Sequence, residues 1–299
     1  MSEYNNNMDL FLEPKTKQYG SHMVMTNVHK QSKTKLVNVD MKFRDEYNYS
    51  QIANYNITLP ERINDVKSIE IMNIEVPISY YNISINLGNS YFKIMNPDNT
   101  SPIVITIPDG QYTGFILAEK INNLLTTSIY SGLQYNFDGT RSRFSGNNIK
   151  IEFDIDSTGN NDKYNFKSKL GWLLGFRNTS YVISSNIVSE SIVDLNGPRY
   201  LYLAIDEFNN KGNQNSFITP LSSSIINKKV IARLATNNIM FPYSYNASFT
   251  HLNGLTSDIR SYTGNIDIQK LNVQLLNENG SPMQLNGLDF SFLMKITHE

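Results

Sequence analysis

The stretch that decides the fold is Asn265-Ile-Asp-Ile-Gln-Lys-Leu-Asn-Val-Gln-Leu-Leu276, a turn around Gly280-Ser281-Pro282, and Leu285-Asn-Gly-Leu-Asp-Phe-Ser-Phe-Leu-Met-Lys-Ile296. Successive side chains of a β-strand point to opposite faces, so this alternation predicts two strands joined by a tight turn. In the second strand one face would carry Leu288, Phe290, Phe292, Met294 and Ile296, and the other Asp289, Ser291 and Lys295. The chain is therefore expected to finish inside a sheet.

Further strand signals recur along the chain, and turn residues separate nearly all of them. The alternating segments have their apolar positions at Ala53/Tyr55/Ile57/Leu59, Ile149/Ile151/Phe153/Ile155 and Leu201/Leu203/Ile205, with shorter candidates at Ile103–Ile107 and Lys229–Ala235. Between Val66 and Val76 the apolar phase moves from Ile69 and Ile71 to Met72, Ile74 and Val76, which predicts a β-bulge or a change of sheet. Many short strands favour an all-β sandwich or barrel.

Two helices interrupt this pattern. Thr113 is placed to cap the first, which is predicted to run to about residue 125 with Leu117, Ile121, Leu124 and Leu125 on one face. The second is predicted to start at Ser168 as its cap and to end at Gly175.

Composition limits the classes of function. The chain has 299 residues with 18% charged residues and a net charge of −1, so no global charge draws it to nucleic acid or to an anionic membrane. Cysteine is absent, which excludes disulfides, thiolate nucleophiles and cysteine-bound metals. No secretory signal and no apolar run of about 18 residues is found, so no membrane-spanning helix is expected.

Residues 1–35 differ from the rest of the chain. They contain Asn5-Asn6-Asn7, several lysines and little periodicity, apart from a short apolar patch at residues 8–12. We interpret them as an extended arm that orders on a partner, with a plain disordered tail as the alternative. Residues 36–299 are expected to form one elaborated domain.

One segment resembles a calcium loop. Asp154-Ile-Asp156-Ser-Thr158-Gly159 begins like such a loop, but its twelfth position is Asn165 where a bidentate Glu is needed. A turn is therefore predicted. His22, His29, His251 and His298 are scattered, although folding could bring His251 near His298, and no spacing or carboxylate partner suggests a metal site.

Catalytic motifs are equally absent from the sequence. The members of each adjacent acid pair, Asp45-Glu46 and Asp206-Glu207, would point to opposite faces of a strand. They are therefore expected to be solvated or paired instead of forming an acid/base dyad. Trp172, the single tryptophan, is predicted to be a core residue; a sugar-stacking platform is the alternative. No catalytic residue, metal ligand or cofactor-binding residue is assigned.

Five segments together resemble one viral family. They are Val37-Asn-Val-Asp-Met-Lys-Phe-Arg-Asp-Glu46, Ile105-Thr-Ile-Pro-Asp-Gly-Gln-Tyr-Thr113, Leu170-Gly-Trp-Leu-Leu-Gly-Phe176, Tyr200-Leu-Tyr-Leu-Ala-Ile-Asp-Glu-Phe208 and the C-terminal strand pair. In this order they are similar to jelly-roll minor capsid and penton (vertex) proteins of nucleocytoplasmic large DNA viruses. Within these giant viruses, the resemblance is to the mimivirus and phycodnavirus groups. Asn265 stands where the family often has proline, and residues 1–35 lie outside the resemblance.

The resemblance implies an all-β jelly-roll sandwich with extra strands, two short inserted helices and an N-terminal arm. It implies a structural virion protein, not an enzyme, assembled in the host cytoplasm without cofactor, nucleic acid or small-molecule substrate. We expect a minor capsid (cement) protein that binds the major capsid protein and other minor capsid proteins, with possible contact to an inner membrane. One alternative is a penton protein that forms pentamers at the five-fold vertices; another is a carbohydrate- or receptor-binding β-sandwich on the virion surface.

Overall fold

The computed structural model describes residues 31–46, 52–208, 229–236 and 245–299. Most of the predicted arm, including His22 and His29, and most of the Asn-rich segments at 209–215 and 237–245 lie outside this range.

The strands, numbered in chain order, are β1 (Lys33–Asp40), β2 (Asn54–Pro77), β3 (Tyr91–Met95), β4 (Ile103–Thr106), β5 (Gln134–Phe137), β6 (Ser142–Ser145), β7 (Ile149–Glu152), β8 (Ser180–Ile183), β9 (Asn186–Val188), β10 (Tyr200–Asp206), β11 (Val230–Ala235), β12 (Asn246–Thr250), β13 (Leu255–Ser257), β14 (Arg260–Leu276) and β15 (Ser291–His298). The helices are α1 (Gly114–Thr126) and α2 (Leu170–Leu173).

The largest sheet brings together strands that are far apart in the sequence. Its order is β1-β15-β2-β14-β10-β11-β13, all pairs are antiparallel, and β12 also pairs with β2. The 24-residue strand β2 is the central strand of this sheet, because it pairs with β15 along one edge and with β14 along the other. The predicted C-terminal strand pair is thus confirmed as two strands, although β2 separates them in the sheet.

The inward face of this sheet forms the first hydrophobic core. The predicted inward positions within residues 53–59, 201–205 and 290–296 are all buried, which confirms the alternation. Its members include Ala53, Tyr55, Ile57, Leu59, Leu201, Leu203, Ile205, Phe290, Phe292, Met294 and Ile296.

The phase slip within β2 is a bulge. Leu293 pairs with Asn73 and Met294 pairs with Ile71, so Met72 has no opposite residue in β15. Because the extra residue moves the following side chains by one position, Ile69 and Ile71 are buried before it and Ile74 and Val76 after it. The prediction of a bulge is confirmed, but Met72 itself is only half-buried.

Leu288 does not belong to the buried face, so that part of the C-terminal prediction was wrong. It is 45% exposed, and β15 begins only at Ser291. The backbone turns just before it, at Asn286 (φ 52°) and Gly287 (φ 85°), and Leu288 N donates to Leu285 O at 3.1 Å. Asn and Gly tolerate this left-handed conformation, so the Asn-Gly pair forms a turn where the alternation alone predicted strand.

The segment between β2 and β10 builds a second core. It contains a sheet of order β4-β3-β7-β8, a sheet of order β5-β6-β9, and both helices. Their shared interior consists of side chains such as Phe92, Leu117, Phe144, Phe153, Leu170 and Phe176. The second core is thus built from residues 83–183, which are inserted between the two parts of the chain that build the first core.

The helices begin and end for local reasons. Thr113 caps α1 as predicted, since its hydroxyl accepts from Ile116 N at 3.4 Å, and Leu117, Ile121 and Leu125 are buried. The N-cap of α2 is Lys169, not Ser168, whose hydroxyl instead donates to Asn165 O. Gly175 follows α2 with φ +90°, as the predicted terminator, and an added Cβ would collide with Ser191 O.

This architecture confirms the predicted all-β jelly-roll class with two short inserted helices. Antiparallel sheets dominate, and the strands adjacent in the large sheet come from both ends of the sequence. The sheet begins at Lys33, within the last residues of the predicted arm. No helix in the described part of the chain is long and apolar enough to cross a membrane. One domain from residue 36 onward stays a prediction.

Candidate interaction surface

The candidate calcium loop is a hydrogen-bonded turn. Asp156 Oδ1 accepts from Thr158 N at 2.8 Å, from Thr158 Oγ1 at 2.6 Å and from Asn160 N at 3.0 Å. These bonds, with the Thr158 hydroxyl first, hold the pKa of Asp156 below its ordinary value. The turn interpretation is confirmed, and Asp156 Oδ1 is already occupied by protein donors.

The two described histidines lie in separate places. His251 Nε2 lies 3.1 Å from Ile71 O, whereas His298 Nδ1 lies 3.1 Å from Glu299 O and His298 pairs with Val66. Within residues 31–46, 52–208, 229–236 and 245–299, no group of three His, Asp or Glu side chains could hold a metal ion.

Of the adjacent acids, Asp45, Asp206 and Glu207 are paired, as predicted. Asp45 accepts from Thr58 N at 2.7 Å and from Thr58 Oγ1 at 2.8 Å, which fastens the segment after β1 onto β2. Asp206 Oδ1 is paired with Lys229 Nζ at 2.7 Å. Asp206 and Glu207 bind different neighbours, Lys229 and Arg260, so these two acids do not act as a dyad.

Glu207 lies at the centre of a buried polar cluster that no sequence pattern predicted. Arg260 Nη1 donates to Glu207 Oε2 at 3.0 Å, and Tyr262 Oη donates to Glu207 Oε1 at 2.7 Å. Arg260 also donates to the carbonyl oxygens of Ile205 and Lys229 at 2.8 and 2.6 Å. Burial, followed by the charge of Glu207, raises the pKa of the Tyr262 hydroxyl far above its ordinary value. The cluster joins the ends of β10 and β14.

A bulge directs Tyr262 into this cluster. Ser261 pairs with Ser68 but the next paired residue of β14 is Ile266, opposite Val66, so four residues of β14 lie opposite one residue of β2. Such bulges re-aim side chains. The sequence signal for it was the Thr263-Gly264-Asn265 segment, which breaks the apolar alternation.

Trp172 is not a core residue, so that prediction was wrong. Its side chain is only partly buried, and the Arg177 guanidinium carbon lies 4.0 Å from the ring centroid. Arg177 Nη1 is fixed there by bonds to Trp172 O and Phe176 O at 3.0 and 3.1 Å. Phe166 contacts the ring edge at 5.8 Å between centroids. Since Arg177 covers one face of the indole, Trp172 is a poor stacking platform for a sugar, and the carbohydrate-binding alternative stays a prediction.

Large apolar side chains remain exposed on several elements. The helix α1 presents Phe115, 66% exposed, and Ile116 beside it, and Phe115 packs edge-on against Phe137 at 5.1 Å. The others are Leu36, Phe43, Ile52, Ile85, Leu87, Ile129, Val182, Val188, Ile192, Phe208, Tyr245, Leu252, Ile259 and Leu288. Exposed apolar side chains next to one another are typical of interaction surfaces.

The strand β1 offers a different kind of surface. It lies at one end of the large sheet and pairs only with β15, in an unbroken register from Lys33↔His298 to Asp40↔Ser291. No other described strand pairs with its outer edge. Leu36 on its outer face is 63% exposed, and Val37 on its inner face is only half-buried against the first core.

Comparisons with known proteins place the sequence in a family and find distant structural likenesses. A family model described as a family of unknown function (DUF5901) matches residues 23–265. No curated protein matches the chain. A chain of the Sputnik virophage, from a 3.5 Å cryo-EM structure, aligns with 12% identity and a TM-score of 0.42 over 89% of this chain and 98% of that chain. The mavirus penton protein aligns with 10% identity and a TM-score of 0.43 over 90% of this chain and 99% of that chain.

Proposed function

The chain belongs to the DUF5901 family, whose function is unknown, and we propose that it is a structural protein of an icosahedral virion. The observation that carries this proposal is the ordered set of five segments between residues 37 and 296 that resemble capsid proteins of giant DNA viruses. The function of such a protein is the burial of surface between subunits.

The polar residues of these segments bind other parts of the same chain. Asp109 accepts from Ser84 Oγ at 2.9 Å and from Ile85 N at 2.8 Å, which fixes the turn before α1. Asp45 binds Thr58, and Glu207 binds Arg260. These side chains bind other parts of the chain and so stabilise its fold. We expect such a role for the characteristic residues of a structural protein.

The glycines of the third segment act in the same way. A Cβ added to Gly171 would overlap the ring of Phe153 in the second core, so only glycine fits between helix and sheet. Gly175 combines a positive φ with close contact to Ser191 O. The glycines of the Leu170–Phe176 segment therefore allow this segment to pack closely against the rest of the chain.

Within the virion we propose the minor capsid, or cement, position. Exposed apolar side chains such as Phe115, Ile116 and Leu36 would be buried against the major capsid protein or other minor capsid proteins. The N-terminal arm would tie subunits together, with assembly in the host cytoplasm. A penton at the five-fold vertices is the competing position in the same shell.

Cross-linking of intact virions tests this proposal. Purified particles treated with a lysine-reactive cross-linker and digested should yield peptides that join this chain to the major capsid protein. The same reaction on detergent-disrupted particles is the control, since contacts that depend on the shell should disappear there. Particles that lack the chain, or that give no cross-link between it and another capsid protein, would contradict the proposal.

A further inference from the structure

The outer edge of β1, with which no other strand in the described part of the chain pairs, is a site for one more strand. Every residue from Lys33 to Asp40 pairs with β15, so the backbone groups that point away from β15 form a continuous row along the end of the sheet. The side chains on both faces are incompletely covered, since Leu36 is exposed and Val37 is half-buried. A strand beside β1 would pair this row and cover both side chains.

The middle of this edge lacks the usual protection against pairing. Natural edge strands are shortened, bulged, broken by proline or charged along their length. β1 has eight residues and contains no proline, and its register with β15 has no bulge. Its charged residues, Lys33, Lys35 and Asp40, stand toward the two ends, and residues 36–39 between them are uncharged. An edge with an uncharged middle section of this kind can pair with a further strand.

We propose that the β1 edge binds residues 8–12 from the N-terminal arm of a second copy of the chain, as an added antiparallel strand. This segment, Met8-Asp-Leu-Phe-Leu12, alternates as a strand does, with Met8, Leu10 and Leu12 on one side and Asp9 and Phe11 on the other. Pro14, which follows closely, would end the pairing. The inference deepens the proposed function, because it names the surface on which the arm acts.

One register satisfies both faces of the sheet. Directly opposite residues of an antiparallel pair point to the same face. With Leu10 opposite Val37, Met8 lies opposite Val39 and extends the first core. The same register places Phe11 opposite the exposed Leu36. A shift by one residue would instead put Asp9 opposite Val37 or Val39, depending on its direction, and in both cases on the inward face.

The length of the intervening chain favours a second copy over the same molecule. Roughly 20 residues, 13–32, separate the segment from β1. Hairpin connections are usually 2–5 residues, so a return of the chain onto its own β1 would need an unusually long loop. Extended, those residues span about 66–72 Å, which is enough to reach a neighbouring subunit.

Engineered cysteines test the register directly, because the natural chain has no cysteine. Two single variants, Leu36→Cys and Phe11→Cys, are mixed at high protein concentration under mild oxidation, and disulfide-linked dimers are quantified on non-reducing gels. A disulfide needs Cα atoms within about 7 Å, so only close pairing gives a high yield. The matched control replaces Leu36→Cys with Leu252→Cys, whose side chain is fully exposed at 101%. Leu36, on the edge strand, and Leu252, in a turn, are both exposed, so neither substitution should disturb the fold.

We expect the Leu36→Cys and Phe11→Cys mixture to yield at least about ten times more mixed dimer than the Leu252→Cys control. Equal yields would overturn the proposal. So would efficient Leu36→Cys homodimers, which would mean that two β1 edges pair, or a cross-linked monomer as the main product of the Leu36→Cys/Phe11→Cys double variant, which would assign the edge to the chain's own arm. Because the experiment uses purified protein, its failure leaves the virion cross-linking result untouched.

Discussion

Arg260 and Glu207 form an ion pair of 3.0 Å in which both side chains are buried. Two further bonds from the guanidinium go to backbone carbonyl groups of β10 and of the residue before β11. A buried pair of this kind contributes little net stability compared with an apolar pair, but removal of one partner leaves an uncompensated charge. The relationship therefore makes the junction of β10, β11 and β14 sensitive to single substitutions.

Arg260→Ala should lower the free energy of unfolding by about 3–5 kcal/mol, because Glu207 would remain buried without its cation. Urea denaturation followed by circular dichroism measures this. The matched control is Arg62→Ala, which breaks the exposed Arg62–Asp267 pair and should cost less than about 1 kcal/mol. Similar losses for both variants would contradict the role assigned to the buried cluster.

Phe290 tests the inward face of the C-terminal segment. It is buried, packs edge-on against Tyr55 at 5.8 Å and lies beside Phe292 at 6.4 Å. Phe290→Ala should therefore cost about 3–5 kcal/mol of unfolding free energy. Leu288→Ala, two residues earlier on an exposed side chain, should change it by no more than about 0.5 kcal/mol. A loss below about 1 kcal/mol for Phe290→Ala would contradict its placement in the core.

Glu152 makes stability depend on acid pH. Burial would raise the pKa of Glu152, but Lys93 and Lys150, at 2.7 and 2.9 Å from its two oxygens, outweigh burial and lower the pKa below the ordinary 4.5. Since the folded chain has the lower pKa, this contribution is complete above about pH 4.5 and is lost as the pH falls through the folded value.

Glu152→Gln should accordingly show a smaller loss of unfolding free energy between pH 7 and pH 3 than the natural chain. Urea denaturation at both pH values gives the comparison, and the exposed Glu119→Gln on α1 is the control that should keep the natural dependence. An unchanged pH dependence in Glu152→Gln would show that the two lysine contacts do not lower the pKa.

The single tryptophan reports on its own environment. Arg177 covers one face of Trp172, so Arg177→Ala should make its fluorescence more accessible to acrylamide and raise the quenching constant. Arg141→Ala, at an exposed position elsewhere, should leave quenching unchanged. If the quenching constant of Arg177→Ala equals that of the natural chain, the stacking of Arg177 on Trp172 is not maintained in solution.

Local patterns predicted most of the fold, whereas long-range pairs could not be predicted. The bulge in β2 was visible because Ile71 and Ile74 are out of phase within a few residues. The cluster around Glu207 was not, because Arg260 is 53 residues away and a single sequence carries no information on which strands become neighbours. Even β14 and β15, which follow each other in the sequence, are separated in the sheet by β2.

The errors have local physical causes. Leu288 fitted the alternation, but Asn286 and Gly287 take a left-handed turn that overrides it. Trp172 looked buried because leucines flank it, yet its side chain is only partly buried and is covered by Arg177 instead of by the second core. An apolar neighbourhood in sequence thus indicates burial only when the element is long enough to keep one face inward.

Counting the copies of this chain in purified virions tests the central claim most directly. Quantitative mass spectrometry with isotope-labelled peptides would compare the chain with the major capsid protein. The cement position predicts several hundred copies or more per particle, whereas about 60 copies, five at each of twelve vertices, would place the chain at the five-fold vertices instead. The absence of the chain from purified particles would contradict the structural role altogether.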